Sequence, residues 1–218
     1  MNSISTLVCF ALKEEASPFR KVAIEKAGIS ILIVGIGHDN AERSIRKYLA
    51  SDAPKFVLTC GFAGGLNPNL KVGDVIFSIG NQSEPPYAGY YKKLTAAGAK
   101  PAKFFCADRI ATTVAEKGKL RDETGADAVE MESAAIQAVC EGKGIPCVTV
   151  RGISDTANED LPLDFNALAK PDKSLDFGKL AWTIAKSPGK IGALMELQKK
   201  TSFAARQLAA VLEKITSA

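Results

Sequence analysis

Short apolar runs that do not alternate with polar residues recur along this chain as far as residue 151, several of them followed by a stretch with helical spacing. Strands buried on both faces read this way, and they build parallel sheets covered by helices rather than half-exposed hairpins. The runs predict strands over 7–12, 29–34, 56–60, 74–78, 126–131 and 146–151. Helices are expected over 14–26, 39–51, 112–121 and 133–142, with Asp39 and Glu42 spaced as a capping box at the second. Residues 80–103, rich in proline and glycine, read as an irregular loop. Past Leu161 the pattern turns wholly helical, and Ala204, Leu208, Val211, Leu212 and Ile215 recur as one stripe of a final amphipathic helix. The expected fold class is α/β: a single three-layer domain with a central mixed, largely parallel sheet flanked by helices, plus C-terminal helices. Residues 1–165 form its body and 166–218 a helical extension packed on it.

The residue inventory narrows the chemistry. His38 is the only histidine, so sites needing two histidines are excluded, and neither metal nor cofactor is expected. Cys9, Cys60, Cys106, Cys140 and Cys147 are an odd number without a C-x-x-C pair, mostly inside apolar runs, which fits free thiols in a reducing compartment. The N-terminus lacks a basic leader and the longest apolar run, 29–37, is too short to span a bilayer, so a cytoplasmic protein is expected. A dinucleotide fingerprint fails because Asn40 stands where Gly35-Ile36-Gly37 would need its third glycine.

Several polar segments follow apolar strands directly. Gly61-Phe62-Ala63-Gly64-Gly65 is either a tight turn or a place where a ligand reaches main-chain N–H groups. Glu130-Met131-Glu132 lies where a strand gives way to a helix; the acids either face a ligand crevice or favour the helix dipole. Arg151-Gly152-Ile153-Ser154-Asp155 ends another strand, and Glu14-Glu15 follows the first. Each alone is equally a local ion pair or turn. Together they would bring several acids to one edge of the sheet, the usual place for a ligand in such folds.

Gly61 to Ile76, Ala128 to Ala135 and Val150 to Asp155, in this order and spacing, resemble the superfamily of nucleoside phosphorylases and methylthioadenosine/S-adenosylhomocysteine nucleosidases over about residues 5–160. Asp160 to Asp164 and the helical tail look most like its hopanoid-associated phosphorylase branch. The resemblance implies cleavage of a purine N-ribosidic bond. It implies Asp155 as the acid that protonates purine N7, held by Ser154, with Glu132 on the ribose hydroxyls and Met131 against the sugar. Glu15 would activate water, Arg151 would contact that water, and Ala63 and Gly64 would line the nucleophile pocket. Glu130 and Phe62 would border the substrate. Ile110 would stand where relatives stack a phenylalanine on the base, with Asp108 or Arg109 beside it.

A purine nucleosidase acting on an adenosine derivative (methylthioadenosine, adenosylhomocysteine or an adenosyl lipid) is the expected function. Thr59 stands in the region where phosphorylases end a strand with arginine, and Phe62 replaces a loop serine. Phosphorolysis, with Arg20, Arg43 and His38 as phosphate contacts, is the alternative. A catalytically silent nucleoside-binding protein is a third reading. The resemblance also implies a homodimer; no nucleic-acid partner is expected. The formal net charge of +4 is unevenly placed: residues 170–218 carry nine Lys/Arg against four Asp/Glu, while 1–169 carry 19 against 20. The basic tail is either a solvated helix face or a peripheral contact with an anionic membrane.

Overall fold

In the computed structural model, residues 5–23, 28–80, 86–170, 172–173 and 176–216 are described. Strand β1 (Thr6–Phe10) leads into helix α1 (Lys13–Ala23), and β2 (Ile29–Ile33) into α2 (His38–Tyr48). Then come β3 (Phe56–Gly65), β4 (Val75–Ser78), α3 (Tyr87–Ala96), β5 (Lys100–Pro101) and β6 (Phe104–Cys106). Helix α4 (Val114–Thr124), β7 (Ala128–Glu130), α5 (Ser133–Glu141) and β8 (Cys147–Asp155) follow, and α6 (Phe177–Lys186) and α7 (Ile191–Thr216) end the chain.

The strands form one mixed sheet in the order β2-β1-β3-β8-β4-β5, with β7 pairing β3 and β6. Pairs β1/β2, β1/β3, β3/β8, β4/β5 and β6/β7 are parallel, whereas β3/β7 and β4/β8 are antiparallel. Alternation along a strand sends neighbours to opposite faces. Val8 and Phe10 join Phe19 of α1 and Leu208 and Leu212 of α7 in one core; Leu7 and Cys9 join Ile45 of α2 and Ile136 and Val139 of α5 in the other. Helix, sheet, helix is thus the layering that the unalternated runs predict.

Local expectations fail in instructive ways. Helix α2 begins from Gly37 with no side-chain cap, so Asp39 and Glu42 do not form the expected box; Glu42 instead accepts from Arg46 Nε at 2.8 Å. The box motif sits on α4, where Thr113 and Glu116 cap each other reciprocally. Residues 80–103 are not loop throughout, because α3 runs from Tyr87, seating Leu94 in the core and stacking Tyr90 on Phe56 at 3.7 Å. Residues 81–85 of that stretch, and 24–27 of the first predicted helix, lie outside the described residues.

The tail has two halves. Ala204, Leu208, Val211, Leu212 and Ile215 of α7 are buried, as their spacing predicts. Upstream, none of residues 178–186 of α6 is buried, and Trp182, Ile191 and Met195 stay exposed. Among the described residues, no helix is long and apolar enough to cross a membrane.

Candidate active site

The glycine-rich segment is where the structure departs most usefully from the sequence reading. It does not turn: β3 continues through Gly65 and β8 through Asp155, side by side. Their register shifts between Ala63 and Gly64, which sets Gly64 opposite Asp155. Such a bulge re-aims the residues beside it. The glycines are needed for close approach. Gly61 has φ +149, and a Cβ there would stand 2.9 Å from the Glu15 carboxylate; one at Gly64 would stand 3.2 Å from Asp155 Oδ2. Two acids therefore lean on one strand, three residues apart, or roughly 10 Å by the rise of a strand.

Between them lies a cavity of about 380 Å³ lined by Glu15, Phe62, Ala63, Gly64, Ile110, Glu130, Met131, Glu132, Ser154 and Asp155. That volume suits a nucleoside-sized ligand. A larger groove of about 750 Å³, lined by residues such as Ser78, Tyr91, Gln137 and Thr149, has no acid among the described residues of its wall. The acid-lined cavity is accordingly the candidate site.

At one end, Glu15 in the first turn of α1 is buried while Glu14 stays exposed. Its Oε2 accepts from Leu12 N and its Oε1 from Phe62 N, both at 2.9 Å. Burial pushes its carboxyl upward against these two hydrogen bonds. Glu132 lies at the N-terminus of α5 and accepts from Gly37 N at 2.9 Å. Burial raises its carboxyl to about 7, opposed by Arg151 and reinforced by Glu130.

Glu130 and Arg151 are paired with each other beside Glu132. Arg151 is 1% exposed, below the cavity wall rather than in it. Its Nη2 lies 2.6 Å from Glu130, 3.2 Å from Thr59 Oγ1 and 3.7 Å from Glu132. Burial opposes its charge, but Glu130 and Glu132 more than offset that and hold the guanidinium ionised. Burial likewise acts to raise Glu130, yet Arg151 and Ser133 bring it below the usual carboxylate range. Glu130 also accepts from the Glu132 and Ser133 N–H groups at 3.0 and 2.8 Å, capping α5. The pair thus forms the platform beneath Glu132.

At the other end, Ser154 Oγ is 2.6 Å from Asp155 Oδ1. Across the carboxyl, Lys117 Nζ of α4 is 2.6 Å from Oδ2, and this lysine is fully buried. Nothing in Glu116-Lys117-Gly118-Lys119 marks Lys117 off from a solvated helix residue, and sequence reading missed it. Ile110 is clamped by Asn166, whose side chain accepts from Ile110 N and donates to Ile110 O, both at 2.9 Å. Arg109 also lines the cavity but is paired with Glu116. Leu161, Phe165 and Leu197 complete an apolar wall, with Thr201 beside them, that sequence reading likewise missed. Arg20, Arg43 and His38, the candidate phosphate contacts, are exposed, and neither they nor Asp108 line the cavity. Among the described residues no acid, cysteine and histidine cluster could hold a metal ion.

Residues 99–185 match the family model described as the phosphorylase superfamily. A 5′-methylthioadenosine/S-adenosylhomocysteine nucleosidase of Shewanella halifaxensis is 30% identical over 176 residues, covering 66% of this chain and 76% of that protein. One from Glaesserella parasuis is 28% identical over 173 residues, covering 66% and 74%. Among solved structures, the futalosine hydrolase of Helicobacter pylori superposes with a TM-score of 0.70 at 19% identity, over 97% of both chains. The methylthioadenosine/S-adenosylhomocysteine nucleosidase of the same organism, bound to butyl-thio-DADMe-Immucillin-A, gives 0.70 at 19% identity over 99% and 98%. At such identities the structures establish the shared fold.

Proposed function

We propose that this chain, which belongs to the superfamily of nucleoside phosphorylases and methylthioadenosine/S-adenosylhomocysteine nucleosidases, is a purine nucleosidase. It cleaves the N-ribosidic bond of an adenosine derivative with water and releases adenine. The observation that carries this reading is the division of one cavity between Asp155 with its donors and Glu15 with Glu132. As the bond from C1′ to the base breaks, its electron pair passes into the purine, and Asp155 gives a proton to N7. Positive charge develops on the sugar, where the carboxylates stabilise it. Glu132 accepts from the ribose hydroxyls and Met131 packs on the sugar. Glu15 takes a proton from the water that adds to C1′; a carboxyl raised by burial is a stronger base for that purpose.

Water is favoured over phosphate by charge. Glu15, Glu130 and Glu132 surround a single guanidinium, and Glu130 already holds it at 2.6 Å. Among the described residues, a phosphate dianion there would meet three acids and no cation without an acidic partner. The test is base release from methylthioadenosine, adenosylhomocysteine, adenosine, inosine and an adenosyl lipid in phosphate-free buffer. Adenine from at least one of the adenosine compounds is the expected result. Tight nucleoside binding with no cleavage of any would favour the silent-binder reading.

The proposed setting is a homodimer in the cytoplasm; all five cysteines are free. The exposed first half of the tail is proposed to meet an anionic lipid surface, since Trp182, Ile191 and Met195 stand out among Lys179, Lys186, Lys190 and Lys199. Trp182 is the only tryptophan. A blue shift of its emission with anionic vesicles and none with neutral ones is expected; no shift with either removes the membrane contact.

A further inference from the structure

Lys117 is the one buried residue of α4, and a lysine is seldom placed so without a task. Its Nζ lies 2.6 Å from Asp155 Oδ2 and donates to Thr156 O at 2.7 Å and Glu159 O at 3.0 Å. An ammonium has three protons, and these acceptors use all of them. The two carbonyls belong to the segment leaving β8, so they aim the third N–H at Asp155. Ser154 grips the other carboxyl oxygen at 2.6 Å. A carboxyl offers about four lone-pair directions, which leaves two for a ligand in the cavity. The capping box of Thr113 and Glu116 fixes the first turn of α4 immediately ahead of Lys117 and thereby sets the side chain's angle of approach.

We propose that Lys117 is the positioning residue of the leaving-group acid. It holds the Asp155 carboxyl toward the departing purine, and its ammonium faces the negative charge that Asp155 acquires on protonating N7. The balance is simple. The electron pair of the ribosidic bond goes to the base, one proton moves from Asp155 to N7, and the new carboxylate is met by a cation that keeps all its protons. The inference rests on the nucleosidase reading and adds to it a residue outside the segments 61–76, 128–135 and 150–155. A residue that only stapled the chain after β8 through Thr156 and Glu159 would leave the chemistry of the leaving group untouched.

Leaving-group dependence separates the two roles. 4-Nitrophenyl β-ribofuranoside releases a stable phenolate that needs no proton, whereas adenine needs one. In Lys117→Met, release of adenine from the best adenosine derivative is expected to fall about 100-fold, while release of nitrophenolate changes less than about threefold. Lys117→Gln, which keeps a donor for the carbonyls, carries the same comparison if the methionine variant does not fold, with folding read by thermal unfolding. Parallel loss of both activities in a folded variant, or loss of neither, overturns the proposal. Failure of the native chain to release base from any nucleoside overturns the nucleosidase reading, and the inference with it.

Discussion

The two ends of the cavity solve opposite electrostatic problems. Around Glu15 and Glu132 three carboxylates share one guanidinium, and burial holds Glu132 up to about 7. Around Asp155 one carboxyl is matched by one fully buried ammonium and one hydroxyl. The first end is short of positive charge, which suits a cationic sugar and repels an anionic nucleophile. The second is balanced, which suits a group that must alternate between acid and carboxylate. One strand, β3, carries both ends, and its glycines let the acids press against it.

The largest expected effect falls on the balanced end. Asp155→Asn should lower adenine release at least about 1,000-fold, measured as kcat with the best nucleoside. An asparagine that left turnover intact would remove Asp155 from the chemistry. At the crowded end the leading effect is on stability. Arg151→Met strands Glu130 in the core, at a cost of about 3–5 kcal/mol, seen as a large fall in Tm. A small fall would mean that the Glu130–Arg151 pair does not support the platform.

A smaller effect sharpens the comparison through pH. If Glu132 binds ribose as the carboxylate, kcat/KM falls as pH drops below about 7, because this parameter reports the free enzyme. Glu132→Gln loses that limb. The same group carries a stability signature. Its folded-state value is raised, so the native chain is favoured at low pH and loses that advantage as pH rises through about 7. Glu132→Gln should therefore gain stability relative to the native chain between pH 5 and 8, and thermal unfolding at both pH values checks the sign. Smaller again is Gly64→Ala, whose Cβ would stand 3.2 Å from Asp155 Oδ2. It should reduce kcat several-fold, on the scale of a displaced catalytic group, with Tm nearly unchanged.

The same two ends differ in how far they could be read from sequence. Apolar runs announce the strands because β1, β3 and β8 are buried on both faces, and the stripe from Ala204 to Ile215 announces the buried half of α7. The acids at or just past the ends of β1, β7 and β8 are legible by that shared position. Their division of labour is not. Glu14 and Glu15 differ in which side of a helix turn faces Gly61, and Glu130 and Glu132 in how closely Arg151 approaches, 2.6 against 3.7 Å. Three glycines signal a turn equally well as a strand pressed against carboxylates. Lys117 was invisible because burial of a charge depends on Asp155, 38 residues later, and on two carbonyls that carry no sequence signal.

The choice of nucleophile is where the charge contrast meets function, and product analysis tests it most directly. The native chain is given the best adenosine derivative with and without inorganic phosphate, and the sugar product is identified. Adenine and a free sugar at the same rate in both are the expected products. Release that depends on phosphate and yields the sugar 1-phosphate would contradict hydrolysis.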